Sequence, residues 1–154
     1  MALAGSTGGK VVIDGLGLLQ KQVKAVGGDT KDFAKANYAA AQTLRQAALP
    51  LVPTYRGNKG ENGTLYQYKS PGELKRSLRA SRSSRYAEVK MGNARVLYAN
   101  PIHWGWLEDK EWFIKKNIRP NLFLYRALNQ KMDTIMADYR LAMDEIIKKN
   151  GLAK

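Results

Sequence analysis

"YAEVKMGNARVLYANPIHWGW", residues 86–106, decides between an all-helical chain and a mixed one. Its first six residues alternate, with Ala87, Val89 and Met91 on one face and Tyr86, Glu88 and Lys90 on the other. That is the period of a half-buried strand. Gly92-Asn93 is a hairpin turn signal, and "ARVLYA" at 94–99 reads as the return strand. The stretch "YANPIHWGW" at 98–106 then holds the only histidine and two of the three tryptophans, with a Pro and a Gly among them. Such density suits either a site built round His103 or a turn whose aromatics pack.

Downstream, "NIRPNLFLYRAL" opens a long helix. Pro120 suits the first helical position, where its missing N–H costs nothing. Leu124, Leu128, Met132, Ile135, Met136, Tyr139, Met143, Ile146 and Ile147 form one apolar stripe at spacings of three and four. Lys148 and Lys149 complement the dipole at the helix end, and Gly151 stops it. A helix of about 30 residues is a rod of ~45 Å.

Upstream, "KVVID" at 10–14 reads as a short strand. Leu16, Leu19 and Val23 recur at helical spacing and predict a first helix ending at Gly27-Gly28. Asp29 or Thr30 can cap a second, alanine-rich helix over 31–49, which Pro50 and Pro53 stop. Residues 54–72 carry four glycines and no helical period, with a hint of strand at "TLYQY". A loop of that length in a compact domain is usually functional or disordered. "ELKRSLRAS" is a short helix or a lead into a strand. The expected architecture is α+β: N-terminal helices, a small antiparallel β-sheet and a long C-terminal helix. Residues 1–9 read as a disordered N-terminus, and 10–150 as a single domain with an inserted flexible loop at 54–72.

The 154 residues suffice for one core, and no apolar run approaches the ~18–20 residues of a membrane span. The N-terminus lacks the basic start and apolar stretch of a signal peptide. Without cysteine there is no disulfide framework and no thiol chemistry. These features fit a chain kept in a cytosol-like compartment. The formal net charge is +13, and it is uneven: residues 50–100 hold ten basic and three acidic residues. Such a cluster either favours a polyanionic neighbour, usually nucleic acid, or is a solvated surface.

Catalytic signatures are weak. "GSTGGKV" at 5–11 lacks the P-loop spacing and the hydroxyl after lysine, and "DGLG" at 14–17 is a fragment of a dinucleotide motif. A nucleophilic triad would have to run through His103, yet no serine sits in a nucleophile elbow. A zinc site would need His103 with carboxylates such as Glu108 and Asp109, which lack a second soft ligand. A lone histidine between Ile102 and Trp104 is more often packed and hydrogen-bonded. The expectation is a non-enzyme with no cofactor and no metal.

In order, the landmarks are "IDGL", an alanine-rich helix ending "ALPLVP", "GELKRSL", "YANPIHWGW" and "IRPNLFLYRAL". Together they resemble the head–tail joining proteins of long-tailed bacteriophages, the family of tail-completion and tail-terminator (neck) proteins. The resemblance spans roughly residues 11–149. It departs where "YRGNKGENGTLYQYKSP" separates Pro53 from the Gly72-Glu73-Leu74 segment. It implies a structural protein of the virion neck, synthesised in the host cytoplasm, that caps the tail tube and joins it to the head connector. Its expected partners are copies of itself in a ring, expected to be hexameric, the major tail tube protein, the connector or stopper protein, and non-specifically the double-stranded DNA of the lumen. No membrane is involved.

In that family the segment matching 98–106 is structural: the chain turns at Pro101, and the aromatics pack toward the last helix or a neighbouring subunit. The resemblance thus makes Tyr98, Pro101, His103, Trp104, Trp106, Arg119, Pro120 and Phe123 candidates for a subunit or partner interface. Lys59, Lys69, Arg76, Arg79, Arg82 and Arg85 are candidates to face the DNA channel. The alternative reading is a basic nucleic-acid-binding protein.

Overall fold

The computed structural model describes residues 10–11, 16–54, 58–59, 65–66, 72–105 and 119–152. In chain order the elements are β1 (Lys10–Val11), α1 (Leu16–Ala25), α2 (Lys31–Ala48), β2 (Asn58–Lys59), β3 (Leu65–Tyr66), α3 (Glu73–Ser77), β4 (Arg79–Ser81), β5 (Ala87–Lys90), α4 (Ala99–Trp104) and α5 (Phe123–Lys149). The class is α+β, with N-terminal helices, small antiparallel sheets and a long C-terminal helix. No described helix is long and apolar enough to cross a membrane.

Helix α2 is the centre of the fold, packed against α5 and against β4 and β5. Its buried residues, Phe33, Ala36, Asn37, Ala40, Ala41, Leu44 and Ala48, repeat at helical spacing. Small side chains there let neighbouring backbones approach closely. The α5 stripe meets it, with Leu124, Ile135, Tyr139 and Ile146 buried as the periodicity predicts. Phe123 and Ala127 extend the stripe at its start and reach no solvent. At the far end the Leu152 N–H reaches the Ile147 carbonyl and the Gly151 N–H that of Lys148, with Gly151 at φ 66°. This pair of bonds satisfies carbonyls that the helix itself leaves unpaired.

The three-stranded sheet runs β1–β5–β4, all antiparallel. Ala80 lies opposite Val89, and Ala87 and Val89 are buried. The other face carries Arg79 opposite Lys90 and Ser81 opposite Glu88. "ELKRSLRAS" is both things expected of it, helix α3 and then strand β4. "TLYQY" supplies β3, paired with β2. Residues 1–9, 12–15, 55–57, 60–64 and 67–71 and the segment around Trp112 lie outside the described residues, with the last three residues of "KVVID" among them.

Three local expectations are corrected. Residues 94–99 are not a return strand. Both edges of β5 are already taken by β4 and β1, and the chain after it curls instead of extending. Asn93 Oδ1 accepts the N–H groups of Arg95 (2.8 Å) and Val96 (3.1 Å), and the Ala99 N–H reaches the Val96 carbonyl. Gly92 turns at φ 79° with its N–H on the buried Ser77 Oγ. Pro101 is not the turn either. It sits inside α4, early enough that its absent N–H would have had no helical partner, and the chain leaves the helix at Gly105, φ 84°. Pro120 is not the first residue of α5, which starts at Phe123 after Leu122 at φ 51°. The reason is a backbone clasp. Asn121 and Leu122 donate their N–H groups to the Ile102 and His103 carbonyls at the end of α4, which holds 119–122 out of the helix. Asp29, not Thr30, supplies the cap bond of α2, accepting the Lys31 N–H at 2.9 Å.

Candidate functional site

Four arginines at three-residue spacing lie on three kinds of backbone. Arg76 is in the last turn of α3, Arg79 in β4, and Arg82 and Arg85 in the link to β5; all four side chains are exposed. What sets their direction is the other side of the segment. The Leu78 carbonyl accepts from Arg45 Nε at 2.8 Å, the Ser83 carbonyl from Asn37 Nδ2 at 2.8 Å, and the Ser84 carbonyl from Gln20 Nε2. Asn37 is itself fixed by the Tyr139 hydroxyl, which donates to Oδ1 at 3.0 Å. Burial pushes that hydroxyl's pKa up to about 12. Side chains of α1 and α2 thus brace residues 78–84, and the four exposed arginines along 76–85 make this segment a basic rib.

Charge on the rib is crowded. Arg79 and Lys90 are direct cross-strand partners on the outward face. Like charges so placed destabilise a sheet by roughly 0.2–1 kcal/mol. Glu88 relieves Lys90 in part, with Oε2 3.4 Å from Nζ. The Arg82 guanidinium lies 4.8 Å from the centre of the Tyr38 ring, a cation–π contact that holds its stem against α2. Lys59 is the last residue of β2, and Lys69 lies outside the described residues.

The second cluster is an aromatic corner where α4 meets the start of α5. His103 reaches no solvent. Its ring lies edge-on to Trp104 and Phe123, both at 4.6 Å between centroids, and parallel to Tyr125 at 6.0 Å. Among the described residues neither ring nitrogen has a hydrogen-bond partner, nor has the buried Oδ1 of Asn100 one turn earlier. The histidine is packed as expected but not hydrogen-bonded. Burial lowers its pKa from the ordinary 6.5 to about 4. Around neutral pH it is an uncharged aromatic filler. Among the described residues no cluster of three or more His, Asp or Glu side chains could hold a metal.

The residues expected at a partner interface divide by burial. His103 and Phe123 lie wholly inside the chain. Tyr98 and Pro101 are half-buried, and burial raises the Tyr98 hydroxyl's pKa. Trp104, Arg119 and Pro120 are at the surface, and Trp106 lies outside the described residues. Sequence reasoning missed Leu122, an exposed apolar residue whose N–H donates to the carbonyl of His103, the residue before Trp104. It also missed Gln20, Asn37, Arg45 and Tyr139 as the supports of the rib. The one legible hint was a polar Asn37 within the buried face of α2.

Comparison of the chain with protein-family models, curated proteins and solved structures returned no match.

Proposed function

We propose that this chain is a structural protein of the bacteriophage neck, a tail-terminator or tail-completion protein. It assembles as a ring around the DNA channel between tail tube and head connector. The reading rests on the ordered resemblance from "IDGL" to "IRPNLFLYRAL". The structural observation that supports it is the arginine rib, with Arg79 held beside Lys90 on a segment braced from behind by Arg45, Asn37 and Gln20. Exposed cations in a sequence without a base-recognition motif suit phosphate contact without base recognition. Trp104 at the surface supplies the kind of aromatic anchor a subunit contact uses.

The test is electron microscopy of particles from an infection in which this one chain is not made. Filled heads beside unjoined or over-long tails support the reading, and tail length separates termination from joining. Complete virions overturn it. The same rib favours a second reading, a basic DNA-binding protein. That reading requires tight binding to duplex DNA at physiological salt, with a steep loss as salt rises.

A further inference from the structure

The seam between α2 and the C-terminal half of α5 opens as a groove of about 300 Å³, bounded by Asp32, Lys35, Ala36, Ala142, Glu145 and Lys149. A second hollow of about 50 Å³ shares Ala36 and Ala142 with it and adds Ala39, Ala40 and Asp138. The two form one trough with an alanine floor. On its rim Asp32 is occupied, with Lys149 Nζ at 2.5 Å and Lys35 Nζ at 3.5 Å. Asp138 and Glu145 are two turns apart on one side of α5 and exposed. Among the described residues neither has an ion-pair partner.

The opposite end of α5 has the complementary character. Trp104 and Leu122 are exposed apolar side chains, at 42% and 37%. Arg119 and Arg126, three residues before and four after Leu122, are exposed as well, and Arg126 Nη1 donates to Asn121 Oδ1 at 3.3 Å. Leu122 adopts a left-handed conformation that a branched residue rarely takes, held there by its bond to the His103 carbonyl. The corner and the trough lie roughly 30 Å apart along one continuous helix. That separation keeps a chain's own corner out of its own trough.

We propose that the Trp104–Leu122 corner of one copy seats in the α2–α5 trough of a second copy, with Arg119 and Arg126 meeting Asp138 and Glu145. The contact rests on the ring reading above and gives that ring its faces. Unlike surfaces meet head to tail, the heterologous geometry that a ring requires. Apolar side chains lie at its centre and charges at its rim, the usual anatomy of a protein–protein contact.

Two surface variants test it in sedimentation velocity. Asp138→Lys/Glu145→Lys makes both faces basic, and Arg119→Glu/Arg126→Glu makes both acidic. Wild-type protein is expected to show a sedimentation coefficient that rises with concentration and falls back with added salt. Each variant alone loses that rise, and an equal mixture regains it, because each supplies the face the other lacks. Thermal melts of the separate variants show that both remain folded. A wild-type chain that stays monomeric at its highest concentration overturns the proposal, as does a variant that associates like wild type or a mixture that stays monomeric. Particle microscopy reads the neck proposal independently. Unjoined heads and tails, together with variants that still associate, would sink these docking faces and leave the neck reading standing.

Discussion

The Tyr139 hydroxyl donates to Asn37 Oδ1 at 3.0 Å, and Asn37 Nδ2 donates to the Ser83 carbonyl at 2.8 Å. One buried amide therefore links α5, α2 and the arginine rib, three parts of the chain far apart in sequence. Tyr139→Phe removes the donor and leaves the Asn37 oxygen without a partner in a site that reaches no solvent. An orphaned buried polar atom costs about 1–3 kcal/mol. The expected result is a loss of that size in urea unfolding with an unchanged denaturant slope. In a double-mutant cycle, adding Asn37→Ala should cost less than the two single losses together. Additive losses would mean that the two groups do not share an interaction.

His103 predicts an acid-sensitive stability. Its pKa in the folded chain lies near 4 because of burial, against 6.5 in the unfolded chain, so the unfolded state binds the proton first. The histidine's contribution is complete above pH 6.5 and drains away as pH falls through that window toward 4. A shift of this size amounts to roughly 2–3 kcal/mol by pH 4. His103→Leu removes the titration and a buried polar group that lacks a partner, so it should be neutral or stabilising at pH 7. Melting temperatures at pH 7, 5.5 and 4.5 check this. Wild type should fall by more than the variant over that range, and parallel curves would contradict it.

Two glycine substitutions should act in opposite directions. At Gly92 the backbone is at φ 79°, and an added Cβ would lie 2.9 Å from Ala99 Cβ and 3.0 Å from the Val96 carbonyl oxygen. Gly92→Ala should cost about 1–3 kcal/mol, from overpacking and from a conformation that L residues resist. Gly17, in the first turn of α1, has open space around the same position. Gly17→Ala should stabilise by about 0.4–1 kcal/mol, through the unfolded chain's lost freedom. Chemical denaturation of the two variants checks both signs at once.

What the sequence disclosed follows from where the physics is local. The stripe from Leu124 to Ile147 and the alanines of α2 repeat at the helical period, and Ala87-Glu88-Val89-Lys90 at the strand period. Each such pattern specifies its own element. Residues 94–99 carry a good turn signal ahead of a plausible strand, yet whether a strand forms depends on a free edge of β5. The short strands β1 and β4 had occupied both edges, and nothing in 86–99 records that. The supports of the rib were hidden for a similar reason. Gln20 and Arg45 look like ordinary surface positions on helices, and only the fold brings them to the Ser84 and Leu78 carbonyls. The burial of His103 was foreseeable from its apolar neighbours, whereas its unpaired nitrogens depend on how α5 closes over α4.

Arg79 separates a functional rib from a merely solvated one. Its cross-strand partner is Lys90, so the isolated sheet is under like-charge repulsion at this pair. Arg79→Thr removes the repulsion and places a strand-favouring residue in β4. The unliganded protein should gain roughly 0.2–1 kcal/mol in urea unfolding at low salt, less at high salt. If the rib meets phosphates, the same change must weaken binding to duplex DNA and lower the slope of log affinity against log salt by about one. Fluorescence anisotropy with one duplex at several salt concentrations reads that slope. A stability gain with no change in slope would make Arg79 part of a solvated surface. A stability gain paired with a shallower slope would mean that the fold keeps a strained cation pair for the sake of a polyanion.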